Sequence, residues 1–106
     1  MHSIKDILIK DKHYKKLPQF QYIVKGVVQG VAFRYHTKKR AEALGILGYV
    51  KNLRNGNVEI VASGNPENLK LLEEFLRTGP SSAIVSSVDK AKSDFDLQMS
   101  DFKILF

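Results

Sequence analysis

Asn55-Gly56 stands between two apolar runs, Ile46 to Leu53 and Asn57 to Ser63. Asn-Gly is the strongest short-range hairpin signal, because a type I′ turn needs positive φ at both central residues. The pair therefore predicts two antiparallel strands joined by a tight turn. It limits the fold more than any other feature, because the segments on either side change to helical period. Upstream, Phe33, Thr37, Ala41 and Leu44 recur at helical spacing, and Gly45 is placed to stop that helix. Downstream, Asn65 is an N-cap, Pro66 fits the first helical position and Glu67 the first turn. Leu69, Leu72, Phe75 and Leu76 then give the second helix its apolar face, and Gly79-Pro80 ends it.

The outer segments complete the pattern. Phe20, Tyr22 and Val24 alternate as a first strand, Ala83 to Val88 reads as a fourth, and Phe102, Ile104 and Phe106 alternate as a short last one. Asp89 to Asp101 is polar and reads as a loop. The order is β-α-β-β-α-β plus a terminal strand. It predicts an α+β, ferredoxin-like sandwich: an antiparallel sheet with two helices on one face and a short extra C-terminal strand. A right-handed β-α-β crossover makes strands one and two parallel, so their carboxyl ends share one edge. The loop Gln29–Phe33 after strand one and Asn52 near the end of strand two should then face one crevice, where open α/β sheets tend to bind ligands.

A chain of 106 residues, 43% hydrophobic, supports one core and not two. Cysteine is absent, which removes disulfides, thiolate metal sites and cysteine nucleophiles together. No stretch approaches the roughly twenty apolar residues of a membrane span, and Met1 to Asp6 lacks the apolar centre of a signal peptide. A cytoplasmic protein is the simplest expectation. The formal charge of +6 favours anionic partners without choosing among them. Residues 1–18 carry five lysines against two aspartates and end at Leu17-Pro18. They read as a basic N-terminal extension, a solvated tail, on a domain formed by residues 19–106.

Chemistry concentrates in Gln29-Gly30-Val31-Ala32-Phe33-Arg34, where a strand gives way to a helix. A helix N-terminus exposes unpaired N–H groups and a partial positive charge. Gly30 lets backbone approach a ligand closely, and Arg34 adds a planar fork of donors suited to phosphate oxygens. Neither G-x-x-x-x-G-K-[ST] nor G-x-G-x-x-G occurs, so the loop carries no standard nucleotide signature. His2, His13 and His36 are scattered without metal-ligand spacing, Glu73-Glu74 reads as a solvated helix face, and Asp94 and Asp96 have no partner for a catalytic dyad.

These segments resemble a known family. Val24 to Arg34 is similar to the first signature of the acylphosphatases. Gly48 to Val58, followed by Gly64, is similar to their second. The similarity spans about residues 20 to 106, in the family's order and spacing. It implies hydrolysis of a carboxyl–phosphate anhydride to carboxylate and inorganic phosphate, with neither metal nor cofactor. By position, Arg34 would hold the phosphate with the backbone N–H groups of Gln29, Gly30, Val31, Ala32 and Phe33. Asn52 would orient the attacking water. The expected partners are a small-molecule acyl phosphate, or phosphate or sulfate in the same site, taken up by a monomer with no membrane association.

Two other classes of function fit parts of the sequence. The topology and basic balance also suit an RNA-binding module, with Tyr22 as a stacking ring. However, strand three, Asn57 to Ser63, has no aromatic where such modules place one, which argues against nucleic acid. A domain kept only for binding would not need both Arg34 and Asn52. A bland reading of the pair has Arg34 capping a carboxylate, such as that of Phe106, and Asn52 as a polar residue before the turn. Tyr49 reads as a packing residue rather than an acid.

Overall fold

The computed structural model describes residues 17–94 and 99–106. Its elements are β1 (Gln19–Val27), α1 (Phe33–Ala43), β2 (Leu47–Asn52), β3 (Val58–Ser63), α2 (Pro66–Thr78), β4 (Ile84–Lys92) and β5 (Phe102–Leu105). The expected extension, residues 1–18, lies outside the described residues except for Leu17 and Pro18. His2, His13 and Asp96 lie outside them too. The five strands form one sheet in the order β4-β1-β3-β2-β5. β3 is antiparallel to both β1 and β2, so those two run parallel with β3 between them.

The fifth strand corrects the expectation of an antiparallel sheet. β5 lies parallel to β2, with Gly48 opposite Phe102 and Val50 opposite Ile104, so the sheet is mixed. Chain direction explains this. β4 ends where β1 begins, as the Ser93 N–H donating to the Gln19 carbonyl shows, and the chain re-enters where Asp101 accepts from the Gly48 N–H. A strand starting beside the beginning of β2 runs parallel to it unless the chain first reverses. β1, β2 and β5 therefore all finish at the same edge.

Alternation sorts the sheet residues into two faces. Tyr22, Val24, Val50, Val58, Ile60 and Phe102 are buried against Phe33 and Ala41 of α1 and Leu69, Leu72 and Leu76 of α2. Each of the valine, leucine, isoleucine and phenylalanine side chains among them contributes roughly 1.5–3 kcal/mol by leaving water. α2 begins as expected: the Asn65 side chain accepts from the Asn68 N–H at 2.8 Å and Pro66 opens the first turn. On the other face, Glu59 accepts hydrogen bonds from Gln21 at 2.7 Å and from the Tyr49 hydroxyl at 3.0 Å.

Three local expectations change. β4 continues to Lys92, paired with β1 as far as Phe20, where a loop was expected from Asp89. As a largely exposed edge strand it needs no apolar alternation. The hairpin turn is not type I′: among the described residues Ala32 is the only non-glycine at positive φ, so Asn55 does not adopt that conformation. The Leu53 N–H donates to the Asn57 carbonyl and the Gly56 N–H to the Leu53 carbonyl, leaving a three-residue loop with Gly56 at φ 93°. Glu73, expected on a solvated face, instead accepts from the Tyr22 hydroxyl at 2.6 Å and pairs with Lys90 at 2.7 Å. Burial alone would raise its pKa, but the hydrogen bonds from Lys90 and Tyr22 outweigh that and hold the carboxyl below its ordinary range.

Candidate functional site

The loop after β1 begins at Val28, whose side chain is buried in the core, and climbs to α1 through two left-handed residues. Gly30 has φ 73° with open space where a Cβ would stand, so its requirement is conformational rather than steric. Ala32 is the N-cap of α1 at φ 59° and ψ 24°. A left-handed alanine costs roughly 1–2 kcal/mol, and this one has no side-chain acceptor to cap the helix. The first-turn N–H groups of α1 thus have no side-chain cap at a site where the helix dipole favours an anion.

Arg34, in that first turn, and Asn52, the last residue of β2, line one cavity of about 280 Å³. Gly30, Ala32 and Phe33 line it with them, and Val28, Tyr35, Ile104 and Phe106 complete the wall. A larger cavity, about 580 Å³, opens between the helices and is bordered by neither Arg34 nor Asn52. The two side chains come together because β1 and β2 run parallel and end at the same edge.

The Arg34 guanidinium carbon stands 4.9 Å from the centroid of the Phe106 ring. Among the described residues Arg34 makes no ion pair, so it does not cap a carboxylate. A ring against one face of the guanidinium leaves the N–H fork at its edge free to bind oxygen. The Asn52 carboxamide oxygen is buried and accepts no hydrogen bond within the protein. Such an acceptor typically costs 1–3 kcal/mol, and a donor such as a water O–H would satisfy it.

The expected run Gln29–Arg34 divides by role. Gly30, Ala32, Phe33 and Arg34 line the cavity. The Gln29 side chain points to the hairpin, where its Nε2 donates to the Leu53 and Asn57 carbonyls, both at 2.7 Å. One carboxamide thus ties the loop after β1 to the turn that follows Asn52. Val31 packs against the core, and its carbonyl accepts from the Ser82 hydroxyl at 2.8 Å.

Other candidates lie apart. The Tyr49 hydroxyl is on the far face of the sheet against Glu59; burial and that carboxylate push its pKa up to about 12. Tyr22 is buried with its hydroxyl on Glu73, so it offers no stacking surface to a base. His36 is exposed on α1 with its ring edge-on to Tyr35, and Asp94 is exposed beyond β4. Among the described residues no three His, Cys, Asp or Glu side chains are grouped to hold a metal ion, and no helix is long and apolar enough to cross a membrane. Sequence reasoning did not bring Tyr35 or Ile104 to this wall, and it paired Phe106 with Arg34 only through a carboxylate. The alternation of Phe102, Ile104 and Phe106 was visible, but the wall that Ile104 and Phe106 build follows only from the parallel direction of β5.

Known proteins resemble this chain in sequence and fold. The family model described as Acylphosphatase matches residues 20–104. An acylphosphatase of Vibrio cholerae serotype O1 is 47% identical over 85 residues, covering 80% of this chain and 93% of the relative. Among solved structures, an acylphosphatase from Coxiella burnetii superposes with a TM-score of 0.81 at 38% identity, over 90% of this chain and 99% of that one. The acylphosphatase from Bacillus subtilis gives a TM-score of 0.78 at 33% identity, over 83% of this chain and 98% of its own. With a family model spanning most of its length and relatives matched nearly end to end, the chain belongs to the acylphosphatase family.

Proposed function

We propose that this acylphosphatase-family hydrolase cleaves the carboxyl–phosphate anhydride of a small acyl phosphate at the cavity between Arg34 and Asn52, without a metal ion. The carrying observation is that the uncapped N-terminus of α1 with its Arg34 guanidinium, and the carboxamide of Asn52 from β2, border the same 280 Å³ of space. The first two suit a tetrahedral dianion: the Arg34 fork takes two oxygens and the backbone N–H groups around Gly30 to Phe33 take the others. Asn52, bordering the same cavity, would use its carboxamide to hold the attacking water.

An acyl phosphate has a carboxylate leaving group, so the chemistry needs neither a protein nucleophile nor a strong acid. Positioning the water and stabilising charge on the equatorial oxygens suffices. Water adds its oxygen to phosphorus, the carboxylate departs with the bridging oxygen, and inorganic phosphate remains. Asn52 is no base at neutral pH, so the water's proton passes to a phosphate oxygen of the substrate. The family match begins at residue 20, which supports reading residues 1–18 as an extension outside the catalytic unit.

The test is hydrolysis of benzoyl phosphate with and without chelator. Wild-type turnover should be rapid and unchanged by EDTA. Arg34→Ala and Asn52→Ala should each lose about a hundredfold to a thousandfold while remaining folded, the typical cost of one well-aimed donor. Arg34→Lys should also be poor, because a point charge does not replace a bidentate fork. Near-normal turnover in either alanine variant would refute the assignment.

A further inference from the structure

Resting on the phosphate site proposed above, we infer that Ser82 is a positioning residue that sets which way the Val31–Ala32 peptide faces. Ser82 lies in the loop after α2, 51 residues from Val31, and is exposed; its hydroxyl donates to the Val31 carbonyl at 2.8 Å. The described chain has no cis peptide bonds, and across a trans peptide the carbonyl of one residue and the N–H of the next point in opposite directions. Holding the Val31 oxygen from one side therefore aims the Ala32 N–H to the other. The two cavities mark those sides. Ser82 borders the larger one between the helices, whereas Ala32 lines the one that holds Arg34 and Asn52.

The bond also acts against a local strain. Rotating the Val31–Ala32 plane by half a turn would carry φ of Ala32 from 59° to the negative side, out of the left-handed region that alanine disfavours. Left to itself the peptide would relax in that direction. The Val31 oxygen would then face the anion, and one N–H donor would be withdrawn. The Ser82 hydroxyl is the side-chain group that holds the Val31 oxygen and opposes this rotation. Because Ser82 touches neither the cavity nor Arg34, its effect passes entirely through the peptide it anchors.

The experiment uses the full chain, inorganic phosphate as competitive inhibitor of benzoyl phosphate hydrolysis, and the amide NMR signal of Ala32 during phosphate titration. Ser82→Ala should weaken phosphate inhibition and lower kcat/KM by about fivefold each, the equilibrium value of one neutral hydrogen bond. The Ala32 amide should respond less to phosphate. Ser82→Thr keeps the hydroxyl and should restore both within about twofold. Ala32→Gly removes the penalty of the left-handed conformation, so it should shrink the loss caused by Ser82→Ala, a coupling read from the double-mutant cycle. Wild-type phosphate inhibition and a wild-type Ala32 response in Ser82→Ala overturn the inference, as does a threonine variant that behaves like alanine. If the wild-type protein neither hydrolyses benzoyl phosphate nor shows an Ala32 response, the phosphate site itself falls. If the wild type does both and Ser82→Ala matches it, only the role of Ser82 falls.

Discussion

Replacing Gln29 by glutamate changes one side-chain nitrogen to oxygen and almost nothing else in shape. The wild-type amide donates to two carbonyls, those of Leu53 and Asn57, both at 2.7 Å. Neither carbonyl would be orphaned by losing it, since Leu53 O also accepts from the Gly56 N–H and Asn57 O from the Leu53 N–H. Gln29→Ala should therefore cost the net value of two neutral hydrogen bonds, about 1–2 kcal/mol, rather than a desolvation penalty. In Gln29→Glu the ionised carboxylate has no donor and would face two carbonyl oxygens, so its cost at neutral pH should be roughly 2–3 kcal/mol. The contrast has a pH signature. Once protonated, the introduced carboxyl can donate one bond in the folded protein, so its folded pKa should lie above the unfolded value of about 4.3. A raised folded pKa means that the recovered stability is fully present below the unfolded pKa and is lost as pH rises through the folded one. Urea unfolding of wild type, Gln29→Ala and Gln29→Glu from pH 3 to 8 measures this directly. The glutamate variant should be the least stable at pH 7 and should approach or pass the alanine variant near pH 3. Equal stability of the two variants across that range would show that the carboxamide does not clasp the hairpin.

Phe106→Leu should lower benzoyl phosphate kcat/KM roughly two- to fivefold, matching the ~0.5–1 kcal/mol of an exposed cation–π contact, while Phe106→Trp should retain wild-type values; both are read by steady-state kinetics. The acid side of the stability profile should depend on Glu73. Its folded pKa is lowered, so its contribution is present above the unfolded carboxyl pKa and is lost as pH falls through the folded value. The stability gap between wild type and Glu73→Gln in urea should accordingly be widest at pH 7 and close in acid. Gly48→Ala places a Cβ 1.8 Å from the Val61 carbonyl oxygen at φ 142°. It should cost roughly 3 kcal/mol or more, or abolish the folded far-ultraviolet dichroism.

Element types were legible in the sequence wherever one period dominated. Leu69, Leu72 and Leu76 announced the buried face of α2, and Asn65-Pro66 its start, because capping and amphipathicity are local properties. Arg34 and Asn52 were readable as neighbours, since a right-handed crossover brings the ends of strands one and two to one edge. What depends on the sheet's edges was not legible. Polar edge strands such as β4 carry no alternation, so its last residues, Asp89 to Lys92, read as loop. The direction of β5 was hidden for a related reason: four residues alternate alike whether parallel or antiparallel, and the wall of Ile104 and Phe106 was hidden with it. The Ser82 bond joins two loops 51 residues apart in sequence, and no spacing rule connects them. Glu73 looked like any helix-surface carboxylate until Tyr22 and Lys90 were placed beside it.

The shared finish line of β1, β2 and β5 gives the molecule an end that carries the proposed site and an idle one. The turn between β3 and α2 is at the idle end, because Ser63 pairs with Gln19 at the very start of β1. Glu67, exposed in the first turn of α2, sits just past it. Since the chain carries no thiol of its own, a cysteine substituted there would be a unique handle for a surface, a dye or a bead. A layer of enzyme tethered through that handle would stand with every cavity turned toward the solution.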